Sequence, residues 1–179
     1  MKSIDTLIEQ RFSPKHFADR AVSEEQLHQL FEAARRAPSS FNEQPWRFIY
    51  ATQEHPEAYQ KLLSCISEHN QQWAKSAPVL MLSLAKKHFS RNEKPNRHAW
   101  HDTGTAIGFL LLKATEMDLY AHQMAGFNPE KAREVLGIPN EYDPVAMMAV
   151  GYLGEEENPN KLRKPVNEIA FTGNSHGLL

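Results

Sequence analysis

Two stretches decide how this chain is read: Arg11-Phe12-Ser13-Pro14-Lys15-His16-Phe17, and then Ala37-Pro38-Ser39-Ser40-Phe41-Asn42-Glu43-Gln44-Pro45-Trp46. The first carries cations and a hydroxyl within a few residues, a set suited to holding a phosphate and a polarised ring edge. The second places small hydroxyls and amides in a loop. Together they suit a ligand with an anionic tail, a polyhydroxyl chain and a planar heteroaromatic head.

Composition is compatible with that reading. At 179 residues the chain has the length of one domain, read here as residues 1–179, and can bury about 70% of its unfolded surface. A hydrophobic fraction of 41% and a charged fraction of 23% are those of an ordinary folded protein, with Thr172 to Leu179 the expected exception. A formal charge of -2 gives no global reason to bind nucleic acid or an anionic membrane, so any positive site must be local. The single cysteine, Cys65, excludes an intramolecular disulfide, and the first residues lack the basic-then-apolar shape of a secretion signal. A cytoplasmic protein is expected. Thr103 to Leu112, the most apolar stretch, is too short to span a membrane and reads as buried helix.

Periodicity predicts alternating helices and strands. Ile4, Leu7 and Ile8 sit at helical spacing and would deliver Arg11. Ser23 and Gln26 form a capping box before a stripe of Leu27, Leu30, Phe31 and Ala34, a helix that ends before Pro38. Trp46 to Thr52, Pro78 to Ala85, Leu119 to Met124 and Val145 to Tyr152 read as strands. Pro78 to Ala85 is apolar at consecutive positions, as in strands buried on both faces. Helices are expected over Pro56 to Ile66, Trp100 to Met117, and Pro129 to Leu136, the last started near Asn128 and stopped by Gly137. Lys86 to Arg97 is polar and without periodicity, and reads as a mobile loop. Gly104 and Gly108 put two small residues on one helix face, for packing either within the chain or against a partner. From Glu155 to Pro165 no core pattern remains.

In order along the chain, Arg11-x-Ser13-x-Lys15-x-Phe17, Ala37-Pro38-Ser39-Ser40-x-Asn42-x-Gln44-Pro45-Trp46, Met124-Ala125-Gly126-Phe127, Val150-Gly151-Tyr152 and Lys161-x-Arg163 resemble the FMN-dependent nitroreductase family, over about Ile4 to Pro165. The resemblance implies an α+β fold with a central, mostly antiparallel sheet flanked by helices. It also implies an intertwined homodimer whose extended C-terminal arm, from about Glu155, crosses the partner, with flavin sites at the subunit interface. The implied cofactor is FMN, with NADH or NADPH as hydride donor and a nitroaromatic, quinone or flavin as small-molecule acceptor in a ping-pong cycle. A carrier or sensor of FMN, or a biosynthetic flavin oxidase, is the alternative.

The same resemblance assigns residues. Arg11, Ser13 and Lys161 or Arg163 would hold the phosphate, while Lys15 would stand at the N1 and C2 carbonyl edge, where a cation favours the reduced ring. Lysine there, where the family often has arginine, and Phe12, where a polar residue is frequent, are departures; Phe12 reads as packing. Pro38, Ser39, Ser40, Asn42 and Gln44 would meet the ribityl chain and ring edge of a flavin held mainly by the other subunit. Asn70 or Gln72 would reach the pyrimidine edge. Met124, Ala125 and Gly126 would present backbone to flavin N5. No proton-transfer residue is assigned. His98, His101 and Asp102 lack a further ligand set and are not read as a metal site. Cys65 reads as a structural thiol and Phe127 as core.

Overall fold

The computed structural model describes residues 2–155, 157–159 and 161–173, so residues 174–179 of the expected loose tail, and Glu156 and Asn160 of the arm, lie outside the described residues. The elements are α1 (Ile4–Gln10), α2 (Glu24–Ala34), β1 (Trp46–Thr52), α3 (Pro56–Cys65), α4 (Glu68–Ala74), β2 (Val79–Lys86), α5 (Ala99–Glu116), β3 (Leu119–Met124), α6 (Pro129–Leu136) and β4 (Tyr142–Tyr152). Short 3-10 turns occur at Ser40–Asn42 and Val166–Glu168.

Local signals in the sequence set most boundaries. Ser23 and Gln26 exchange both bonds of the capping box. The Asn128 side chain accepts from the Lys131 amide at 2.9 Å, and Gly137, at φ 64°, ends α6 in the left-handed conformation that costs glycine least. β4 begins earlier than expected, at Tyr142 and through Pro144. The register shifts between Ser83 and Leu84, so Val145 is passed over and the proline is accommodated at an irregularity.

The four strands form one antiparallel sheet in the order β1-β2-β4-β3. Side chains alternate across a pleated strand, and β2 divides accordingly. Leu80, Leu82 and Leu84 join Tyr59, Leu62, Cys65 and Ala132 on the face covered by α3 and α6. Val79 and Met81 join Leu27, Leu30, Ala106, Ile107 and Leu110 on the face covered by α2 and α5. Both faces of the sheet are therefore dry, which is why β2 is apolar without alternation.

Two expectations change in the structure. Lys86 to Arg97 is anchored: Phe89 and Asn96 are buried, His88 pairs with Pro95, and the Phe89 amide donates to the Lys94 carbonyl at 2.9 Å. The absence of periodicity hid a single aromatic anchor. On α5, a methyl group added at Gly104 or Gly108 would meet, beyond its chain neighbours and its own helix backbone, no described atom within 4 Å. Close helix packing within the chain is therefore not what these glycines serve.

Candidate functional site

The N-terminal cations are fixed by both ends of the chain. α1 stops at Arg11, whose amide donates to the Leu7 carbonyl at 3.0 Å. Past Lys15 the backbone pairs with the end of β4: Ala18 N–H donates to the Tyr152 carbonyl at 2.9 Å, and Gly154 N–H to the His16 carbonyl at 3.0 Å. A side chain at Gly154 would crowd the His16 and Phe17 backbone at 3.1 Å, so this approach depends on glycine. The arm thus leaves the sheet paired with residues 16–18 and then meets the end of α1, with the Asn158 side-chain amide donating to the Glu9 carbonyl at 3.4 Å.

The result is a cavity of about 520 Å³ lined by Arg11, Phe12, Ser13, Lys161 and Arg163, with Ile8, Glu9, Asn158 and Pro159 at its sides. Three cations face one carboxylate, so the lining is net positive, and the Ser13 hydroxyl adds a neutral donor. These groups fit a phosphate-bearing ligand. Phe12 is buried and meets Tyr120 edge to face at 5.0 Å, which supports its reading as packing. Lys15 is exposed and lies outside this lining.

A second group gathers past the end of β3. Met124 is buried in the core, so only its backbone faces outward, whereas Ala125 is exposed. The Gly126 carbonyl accepts from the Ser67 amide at 2.9 Å and the Asn70 side chain at 3.3 Å. A methyl group at Gly126 would lie 2.5 Å from Asn70 Nδ2 and 3.0 Å from Ser67 Oγ. Asn70 also accepts from the Trp73 indole at 3.3 Å, so its amide braces this loop. Gln72 is exposed on the same short helix.

The third group is the Pro38 to Gln44 loop, none of which lines the cavity. Phe41, Asn42 and Gln44 have φ of 54°, 55° and 51°, conformations that cost a non-glycine residue of order 1–3 kcal/mol each and persist only where the surroundings impose them. Several bonds impose them here. Ser39 Oγ accepts the Gln44 amide at 2.9 Å, and Arg47 donates to the Gln44 carbonyl at 3.0 Å. The Glu43 carboxylate accepts the Ser90 amide and hydroxyl at 2.9 and 2.6 Å. Partial burial raises the Glu43 pKa, but these Ser90 bonds and nearby Lys86 outweigh it and hold the carboxyl below its ordinary range. The Arg91 guanidinium lies 3.7 Å over the exposed Phe41 ring.

From within, Asp102 holds the same loop. Its buried carboxylate accepts the Ser40 amide at 2.9 Å and His101 Nδ1 at 3.0 Å. His98 and His101 sit 6.5 Å apart, centre to centre, nearly perpendicular. Read only beside histidines, Asp102 gave no hint of this, because Ser40 is 62 residues away in sequence. Asp102→Ala should lower stability by about 1 kcal/mol, the cost of leaving the half-buried Ser40 N–H without its acceptor, while Asp102→Asn, which keeps an acceptor, should lose much less. Thermal unfolding of the two variants tests this; equal losses would remove the bond from consideration.

With these three groups placed, the comparison with known proteins is specific. The sequence profile of the nitroreductase family matches residues 8–152. The chain belongs to the nitroreductase family. A solved structure described as an oxidoreductase containing FMN superposes with a TM-score of 0.88 at 30% identity, covering 97% of this chain and 93% of that one. A Thermus thermophilus protein named NADH dehydrogenase is 27% identical, over 90% of this chain and 91% of its own length. An oxygen-insensitive NADPH nitroreductase of Helicobacter pylori is 24% identical, over 92% and 94%. The nitroreductase fold accounts for the antiparallel sheet covered by helices on both faces.

Other readings of single residues also find their place. Phe127 packs against the core cluster. Cys65 is buried and donates to the Lys61 carbonyl at 3.2 Å; burial pushes its thiol pKa up despite the Ser64 bond and nearby Lys131, as for a structural thiol. Among the described residues no helix is long and apolar enough to cross a membrane.

Proposed function

We propose that this nitroreductase-family chain passes electrons from NADH or NADPH, through FMN, to a small planar acceptor such as a nitroaromatic, a quinone or a flavin, in two successive half-reactions at one site. The activity is FMN-dependent oxidoreduction with a nicotinamide donor. FMN supplies the redox chemistry when bound, so the protein's task is to bind it, orient it and set its surroundings.

The observation that carries this reading is the cavity between the two ends of the chain, where Arg11, Ser13, Lys161 and Arg163 converge. The forked guanidinium of Arg11 is suited to two phosphate oxygens, with Ser13 and the arm cations completing the shell. Lys15 stands for the ring edge, and the Ala125 and Gly126 backbone for the face at N5, with Asn70 serving as its brace.

A site shared by two chains accounts for the remaining residues. β1 and β3 are opposite edges of the sheet, about 14 Å apart by strand spacing, so the Pro38 to Gln44 loop and the Ala125 to Gly126 backbone stand well apart in one chain. In a homodimer, Ser39, Ser40, Asn42 and Gln44 of one protomer would meet the flavin held by its partner. The open glycine face of α5, with Trp100 and Phe109 exposed beside it, would be the seam, and the arm with exposed Leu162, Val166 and Ile169 would cross it. Such a unit belongs in the cytoplasm, with no nucleic acid or membrane partner.

Chain mixing tests the shared site. Protomers carrying Arg11→Ala and protomers blocked by Ser40→Trp should each be inactive alone and regain nitroaromatic reduction when co-expressed, because one site in each mixed dimer is intact. No recovery in a preparation shown to contain mixed dimers would place each site within one chain. Parallel lines in double-reciprocal plots of donor against acceptor would support two half-reactions; intersecting lines would remove them.

A further inference from the structure

A continuous set of contacts joins two of the groups described above, and its centre is a histidine with no place in the assignments so far. His122 lies on β3, and its Nδ1 is 2.8 Å from the Pro14 carbonyl. A carbonyl only accepts, so Nδ1 carries the proton. The same ring packs on Trp73, 4.5 Å between centroids and tilted by 30°. The Trp73 indole donates to Asn70 Oδ1 at 3.3 Å, and Asn70 Nδ2 donates to the Gly126 carbonyl at 3.3 Å. Pro14, His122, Trp73, Asn70 and Gly126 thus form one path across 108 residues of sequence between its first two members.

We propose that His122 is a positioning residue that fixes the cation segment relative to the Ala125 and Gly126 backbone, and so tunes how much more tightly the protein holds reduced FMN than oxidised FMN. This rests on the flavin site proposed above. The physical link is short. The Pro14 carbonyl and the Lys15 amide share one rigid peptide plane, so a bond that fixes the carbonyl fixes where the Lys15 side chain departs. A cation that drifts by an ångström or two from a ring edge loses part of its preference for the form carrying negative charge there. The stack on Trp73 sets the same ring against the brace of Gly126, so both reference points move together.

The test compares His122→Phe, which keeps an aromatic ring but no donor, with His122→Asn, whose amide nitrogen sits near the place of Nδ1. Each FMN-loaded protein is titrated for its midpoint potential, and each apoprotein for FMN affinity by flavin fluorescence. His122→Phe should bind oxidised FMN at most a few-fold more weakly but lose about tenfold in preference for reduced FMN, a fall of about 30 mV in a two-electron potential. His122→Asn should recover most of that loss. Unchanged potential in His122→Phe, or equal loss in both variants, would overturn the proposal. If His122→Phe does not fold, Trp73→Phe carries the test, since it keeps an aromatic ring beside His122 but removes the indole bond to Asn70: a lowered potential supports the path and an unchanged one overturns it. Failure of the parent chain to bind FMN at all would instead refute the flavin site itself.

Discussion

Arg11→Ala is expected to weaken FMN binding by about two orders of magnitude while leaving the fold intact. Arg11 lines the cavity with Ser13, Lys161 and Arg163, and its guanidinium offers a rigid fork to a phosphate from the end of α1. A hydrogen bond to a charged group contributes about 1.5–3 kcal/mol, so loss of two such bonds costs about 3 kcal/mol after partial replacement by water, or roughly a hundredfold. Only the backbone of Arg11 serves α1, through its bond to Leu7, so thermal unfolding of the apoprotein should hardly change. Arg11→Lys should recover charge but not the fork, and fall between the two. Titration of FMN into each apoprotein measures this, and equal affinities for the parent and Arg11→Ala would move the phosphate elsewhere.

The largest effect on stability is expected at Gly151. This residue is buried in β4 opposite Tyr120, and an added methyl group would lie 2.5 and 2.8 Å from Pro78 Cδ and Cγ and 3.1 Å from Phe17. A proline ring cannot swing aside as a long side chain does, and Pro78 leads directly into β2. Gly151→Ala must therefore push apart the centre of the sheet and the segment that carries the cations. Overpacking of this kind costs about 3 kcal/mol, which lowers the melting temperature of a chain of this size by roughly 6–12 °C. Pro78→Ala should restore part of the loss in the double variant, because the two residues compete for one volume. An unchanged melting temperature for Gly151→Ala would contradict the packing described.

Much of this architecture was legible in the sequence because its signals are local. The capping box at Ser23, the Asn128 cap and the Gly137 stop each act within a few residues, and the double-sided burial of β2 shows as uninterrupted apolarity. α4 was not legible. Glu68-His69-Asn70-Gln71-Gln72-Trp73-Ala74 has only Ala74 fully buried and no apolar stripe, and tertiary bonds to the Gly126 loop help hold it in place. The candidate site divides in the same way. Motif order pointed to Arg11, Ser13, Lys161 and Arg163, and the pairing of residues 16–18 with 152–154 brings them to one cavity. The groups that hold the other elements, Asp102 beneath Ser40 and His122 beneath Pro14, act over 62 and 108 residues and leave no pattern in the chain. The strained backbone of Phe41 and Gln44 was equally hidden, since neither residue advertises a positive φ as glycine or, beside them, Asn42 does.

The most direct test is the visible spectrum of the purified protein with FMN, recorded before and after anaerobic addition of NADH and of NADPH. The expected result is a bound-flavin spectrum that bleaches with at least one donor and returns on addition of a nitroaromatic or quinone. A flavin that binds and stays oxidised with both donors, or a protein that does not take up FMN, would contradict the proposed activity.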